Sequence, residues 1–141
     1  MILEVTTPLT IPKILEMARK MPHLPVKALE DMLIRGMASE KSKILVDDKE
    51  GVLRGFMYAS IEHFDGQPVV FIQASYIKSD LDGAKYIGHE FISRMRAWAK
   101  ESQIEYLYMM TPRNPKGYTR KYKFEFYTYV MRRRVNDEKT T

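Results

Sequence analysis

Two glycines, a lysine and a histidine stand together in residues 79–91, SDLDGAKYIGHEF, at the start of a run with helical periodicity. Such a stretch has the makings of an anion site. The first amides of a helix have no partner inside it, they point outward, and the helix dipole favours negative charge there. Gly83 and Gly88 would let a phosphate approach the backbone closely, and Lys85 or His89 would add a donor side chain. Lys85 is the stronger of the two, because histidine is mostly neutral at neutral pH. A plainer reading uses the same residues: Gly83 relieves a turn after Asp80 and Asp82, and Gly88 lets a helix lie close to a sheet. The two aspartates oppose an anion if they point inward.

Proton transfer needs a carboxylate or an imidazole within reach of the reacting group. Glu62 and His63 are the candidates, but they flank the Asp65-Gly66 turn and read more readily as exposed residues at a strand end, away from any strand opening. Gln73 is polar among apolar neighbours and cannot serve as a base. His23, His63 and His89 stand far apart with no ligand spacing, so no metal site is expected. The chain has no cysteine, which excludes disulfides, thiolate metal sites and a cysteine nucleophile, and fits the cytoplasm. It carries no Walker loop, no nucleophile elbow and no Rossmann glycine fingerprint.

The elements that must position these residues follow from hydrophobic periodicity. Residues 2–6 read as a short strand, and Thr10 with Pro12 suits a helix start before Ile14, Leu15, Ala18 and Met21. PHLP ends that helix, and residues 26–39 form the next, with Val26, Leu29, Leu33 and Met37 on one stripe. Strands are predicted over 43–48, 52–64 and 68–77, the last two joined as a hairpin by Asp65-Gly66. An apolar stripe of Ile87, Phe91, Ile92, Met95, Trp98 and Ala99 then marks a helix that packs on the sheet. Residues 104–111 read as a strand, 112–123 as a loop running into a short helix, and 124–135 as a closing strand. The order β-α-α-β-β-β-α-β-α-β makes one α/β domain with a mixed, mostly antiparallel central sheet flanked by helices. The domain spans residues 1–135, and 136–141 form a flexible tail.

Charge is uneven along this frame. The net charge is +5, yet residues 112–141 carry nine Lys and Arg against three Asp and Glu. A solvated surface explains such a cluster as readily as a partner does, and nucleic acid, an acidic protein or a phosphorylated cofactor would all match its field. No apolar run approaches the roughly 18 residues of a membrane span, and the first residues lack the basic start of a signal peptide. No membrane partner is expected.

The element order resembles the GNAT superfamily of acyl-coenzyme A N-acyltransferases over nearly the whole chain. The sharpest local likeness is NPKGYTRKYKFEFYTYVMRRRV, which is similar to the family's asparagine, tyrosine-bearing short helix, Gly-Phe pair and closing strand; Lys123-Phe124 stands in place of Gly-Phe. The resemblance implies an N-acetyltransferase that takes acetyl-coenzyme A (acetyl-CoA) as co-substrate and passes its acetyl group to an amine not identified by the sequence. It also implies a phosphate loop of the form Q/R-x-x-G-x-G/A. Aligned on Gly88, that pattern puts Gly83 at the Gln/Arg position and Tyr86 at the first glycine, so the loop is degenerate and Tyr86 adds a ring in the phosphate path.

On this resemblance the cofactor would meet Ile77, Lys78, Gly83, Lys85, Tyr86, Ile87, Gly88, His89, Asn114 and Tyr118, with pantetheine amides along Ser75 to Ile77. Tyr118 is the implied acid for the leaving thiolate, although the family's usual interval falls on Thr119. Glu62 is the candidate base. The alternative is a non-catalytic GNAT-like domain that binds nucleic acid or an acidic protein through Arg113, Lys116, Arg120, Lys121, Arg132, Arg133 and Arg134. A homodimer is compatible with either reading.

Overall fold

Alternating apolar residues on both sides of Asp65-Gly66 fold back as the long central hairpin, and positive φ at Asp65 (52°) and Gly66 (76°) gives its turn the twist that suits paired strands. The computed structural model describes residues 1–19, 24–78, 83–110, 124–125, 131 and 133–135. Its elements are β1 (Ile2–Glu4), α1 (Ile11–Ala18), α2 (Val26–Met37), β2 (Ser42–Lys49), β3 (Val52–Phe64), β4 (Gln67–Ile77), α3 (Ala84–Glu101) and β5 (Leu107–Met109). A 3-10 turn over Pro8–Thr10, capped by the Thr7 side chain, leads into α1. The short helix and closing strand expected after residue 111 lie outside the described residues, apart from Phe124, Glu125, Met131 and residues 133–135.

The described strands form one sheet in the order β1-β2-β3-β4-β5. The first three pairings are antiparallel and β4–β5 is parallel, with α3 as the crossover that a parallel pair requires. Each face carries its own core. On one, Ile14 of α1 and Leu29 and Leu33 of α2 pack with Phe56, Tyr58 and Ala74. On the other, Ile87, Phe91 and Met95 of α3 pack with Met57, Ala59, Val70 and Ile72, and Phe124 joins this side. Each Ile, Leu, Val, Met or Phe side chain among them contributes about 1.5–3 kcal/mol on full burial.

Two features set where α3 begins. Gly55 on β3 has no side chain, so Phe91 lies directly over it; an added Cβ would stand 3.3 Å from the Phe91 ring and 3.0 Å from the Tyr76 carbonyl oxygen. Ile77 pairs with Gly55, which puts the end of β4 beneath the same part of the helix. The register also slips twice. Arg54 is an extra residue on β3 opposite Asp47 and Asp48, and Gln73 is an extra residue on β4 opposite Tyr58 and Ala59. A bulge bends its strand and re-aims a side chain. At Arg54 it lets the guanidinium pair with Asp47, which is only 3% exposed. Among the described residues no helix is long and apolar enough to cross a membrane.

Candidate functional site

Among the described residues, the β4–β5 pairing stops at the second bulge. β5 pairs with β4 only from Val70 to Ile72, opposite Leu107 to Met109, while β4 continues to Ile77. Gln73, the bulged residue, is the first one past that pairing. Beyond it, the Lys78 N–H donates to the Arg54 carbonyl. Backbone groups alternate sides along a strand, so Ile77 and Ser75 turn their N–H and C=O groups the other way, toward the side on which β5 pairs with the earlier part of β4.

The start of α3 adds a second set of unpaired donors. Gly83 caps the helix at φ 87°, a left-handed conformation that a side chain would strain, and it offers no side-chain cap of its own. Its carbonyl accepts from the Tyr86 N–H (2.9 Å) and the Ile87 N–H (3.1 Å). Among the described residues, nothing accepts from the Ala84 and Lys85 amides. The first turn holds no acidic residue. This is the arrangement that favours an anion at a helix N-terminus.

Tyr86 lies on the other flank of α3. Its side chain is 78% exposed, and with Gly83, Glu90 and Arg94 it lines a cavity of about 500 Å³ that also touches Ile2, Asp47 and Arg54. Those partners belong to β1, β2 and β3, so the ring faces the β1 side. At 100° per residue, Lys85 and His89 share the opposite flank, toward β5, and both are exposed. Ile87 and Gly88 are buried against the sheet. Lys78 is half-buried at the end of β4.

The face away from α3 carries the polar groups nearest the bulge. Gln73 Nε2 donates to Ser60 Oγ (3.1 Å), and Ser60 Oγ donates to Glu62 Oε1 (2.9 Å). The sequence reading put Glu62 away from the parting strands, whereas this chain of hydrogen bonds ties its carboxylate to the residue at which they part. Ser60 was missed altogether. Its signal was present, as a serine inside the buried run FMYAS of β3. His63 alternates to the opposite face from Glu62. Further along, Phe64 on β3 and Tyr108 on β5 meet edge to face across β4, with ring centroids 5.0 Å apart, and Tyr106 stands 6.2 Å from Tyr108. Asp80, Asp82, Asn114 and Tyr118 lie outside the described residues, while Arg133 and Arg134 are exposed. Among the described residues no three His, Asp or Glu side chains gather as metal ligands.

Among the described residues, then, the end of β4 and the start of α3 carry unpaired backbone groups, and a polar network lies on the reverse face of the sheet. Solved structures share this fold. The chain is similar to the aminoglycoside 6'-N-acetyltransferase AAC(6')-Ig from Acinetobacter haemolyticus, with TM-score 0.78 and 16% identity over 98% of this chain and 99% of that one. AAC(6')-Iy in complex with a coenzyme A bisubstrate analogue gives TM-score 0.76 and 17% identity, covering 97% and 98% of the two chains. A predicted acetyltransferase from Clostridium acetobutylicum with acetyl-CoA gives 0.73 and 13%, covering 96% and 97%. No protein-family model and no curated protein sequence matches the chain. The structural likenesses give this chain the GNAT fold.

Proposed function

We propose that the protein is an N-acyltransferase that moves an acetyl group from acetyl-CoA to an amine. The observation that carries this reading is that, among the described residues, the β4–β5 pairing ends before Gln73 and nothing pairs with the outward backbone groups of Ser75 and Ile77 or with the Ala84 and Lys85 amides. An amide-bearing arm would pair with that edge as an added strand does, and a pyrophosphate would sit on the helix start. The likeness to acetyltransferase structures, among them ones with coenzyme A or acetyl-CoA, supports the same assignment.

The residues fit the co-substrate. Ser75, Ile77 and Lys78 would hold the arm, and Gly83, Lys85, Ile87, Gly88 and His89 would surround the phosphates with amides and, at Lys85, a positive charge. Acetyl-CoA would supply a thioester carbonyl open to attack. Glu62 would take a proton from the incoming ammonium, since it is the carboxylate linked to the bulge. Tyr118 would be the acid for the thiolate and Asn114 a contact to the arm, and the reaction would run in the cytoplasm.

Thermal stability tests it. A ligand that binds only the folded state adds about 2.7 kcal/mol at 100 times its dissociation constant. Acetyl-CoA should therefore raise the melting temperature, and release of free thiol should follow when amines are added, beginning with aminoglycosides and peptides bearing N-terminal alanine. Unchanged melting at saturating acetyl-CoA overturns the reading. The alternative, a non-catalytic domain that holds nucleic acid or an acidic protein on its basic C-terminal residues, draws on charge alone. For nucleic acid it requires binding that weakens steeply with salt.

A further inference from the structure

We propose that the cavity between α3 and the β1 side of the sheet binds a free aromatic α-amino acid, held by both of its charges and by its ring, at a site separate from the one assigned to acetyl-CoA above. The proposal does not depend on the acyltransferase reading. Three residues of α3 line this cavity at four-residue spacing, Tyr86, Glu90 and Arg94, so they form one row along the helix, each about 6 Å of rise from the next. The sheet supplies the opposite wall, with Arg54 of β3 and Asp47 of β2. Lys85 and His89, on the flank toward β5, line none of it.

The polar groups of the cavity keep donors and acceptors without partners. Arg94 donates only its Nε–H, to Glu90 Oε1 (3.1 Å), and Arg54 only its Nε–H, to Asp47 Oδ2. Among the described residues nothing accepts from the terminal nitrogens of either guanidinium, and the paired N–H groups at that end match the two oxygens of a carboxylate. Glu90 Oε2 likewise has no donor, and its side chain is half exposed. Asp47 is already engaged: Arg54 holds one oxygen, the Met1 amino group stands 3.2 Å from the other, and the residue is only 3% exposed. Glu90 is therefore the carboxylate that an incoming ammonium meets.

The mixture of charges decides the ligand class. A simple anion gains the guanidinium forks but faces the Glu90 carboxylate, and a simple cation meets the reverse. A zwitterion satisfies both. Its carboxylate takes the Arg94 fork, with Arg54 facing it from the sheet, and its ammonium donates to Glu90 Oε2. Tyr86 stands one turn nearer the helix start, 78% exposed, and offers its ring to a flat side chain. The volume, about 500 Å³, lies in the range of small-ligand pockets.

NMR on the isotope-labelled full chain tests this with L-phenylalanine, phenylacetate and phenethylamine, which carry both charges, the carboxylate alone and the ammonium alone. The backbone amides of Tyr86 and Glu90 should move saturably with phenylalanine, and each single-charge probe should bind at least about tenfold more weakly. Arg94→Gln should erase the advantage of phenylalanine over phenethylamine, and Glu90→Gln its advantage over phenylacetate. Both positions are exposed, and thermal melts of the free variants check that the fold is kept. Arg54 is left in place, because its loss would strand the buried Asp47 charge. Amides that ignore phenylalanine, a single-charge probe that binds as well, or variants that bind all three probes as the parent does overturn the proposal. Displacement of phenylalanine by acetyl-CoA overturns it too, since the cavity would then belong to the co-substrate.

Discussion

Tyr86 shows how far a single position can be read from its neighbours. By spacing it occupies the place of a glycine and puts a ring in the path of a phosphate. In the structure the ring leans over Gly83 toward the β1-side cavity, and its backbone N–H is spent on the Gly83 carbonyl. Periodicity does place Tyr86 and Lys85 on different flanks of the helix, but which flank meets β5 depends on how α3 docks, and that is a tertiary fact. Tyr86→Ala should therefore change stability by no more than about 0.5 kcal/mol and leave acetyl-CoA stabilisation intact, as thermal melts with and without the ligand will show. Lys85→Ala should reduce that ligand-dependent shift while leaving the melt of the free protein unchanged. Loss of acetyl-CoA stabilisation in Tyr86→Ala would mean that the ring takes part in binding.

At the scale of elements, the hairpin and α3 were legible because two-residue turns and apolar stripes leave strong marks in a sequence. The bulge left none. Ile72, Gln73 and Ala74 read as clean alternation, apolar-polar-apolar, which would put Ile72 and Ala74 on the same face of the sheet. They lie in opposite cores, Ile72 beneath α3 and Ala74 beneath α1 and α2, because the extra residue reverses the alternation. That extra residue adjoins the end of the described β4–β5 pairing, so the candidate site was invisible where the strands were obvious. Docking of α3 over the end of β4 is equally local in cause. Gly55→Ala would press a methyl group on the Tyr76 carbonyl and the Phe91 ring, at a cost of about 1–3 kcal/mol for an overpacked contact. Urea denaturation should show that loss, and the displaced helix start should bind acetyl-CoA more weakly. A variant as stable as the parent would show that Phe91 has space to move.

For the whole molecule, a sequence that matches no family model still yields this fold, because the pattern of buried and exposed positions survives where identity does not: the solved structures agree with it at 13–18% identity. That pattern builds two cores on one sheet. β2, β3 and β4 contribute side chains to both, so the two are expected to unfold together. The single tryptophan makes this testable. Trp98 packs on the α3-side core, with Lys43 Nζ 5.4 Å from its ring centroid, while Leu33 is fully buried in the core on the opposite face. Leu33→Ala removes a buried side chain at a cost of about 2–5 kcal/mol without touching Trp98's surroundings. If the sheet couples the two cores into one cooperative unit, the Trp98 fluorescence transition in urea and the far-ultraviolet circular dichroism transition should move down together and stay coincident. A fluorescence midpoint that stays at the parent value while the dichroism midpoint falls would show that the α3 face holds together independently, and that the two sides of the proposed site are set by separate folding units.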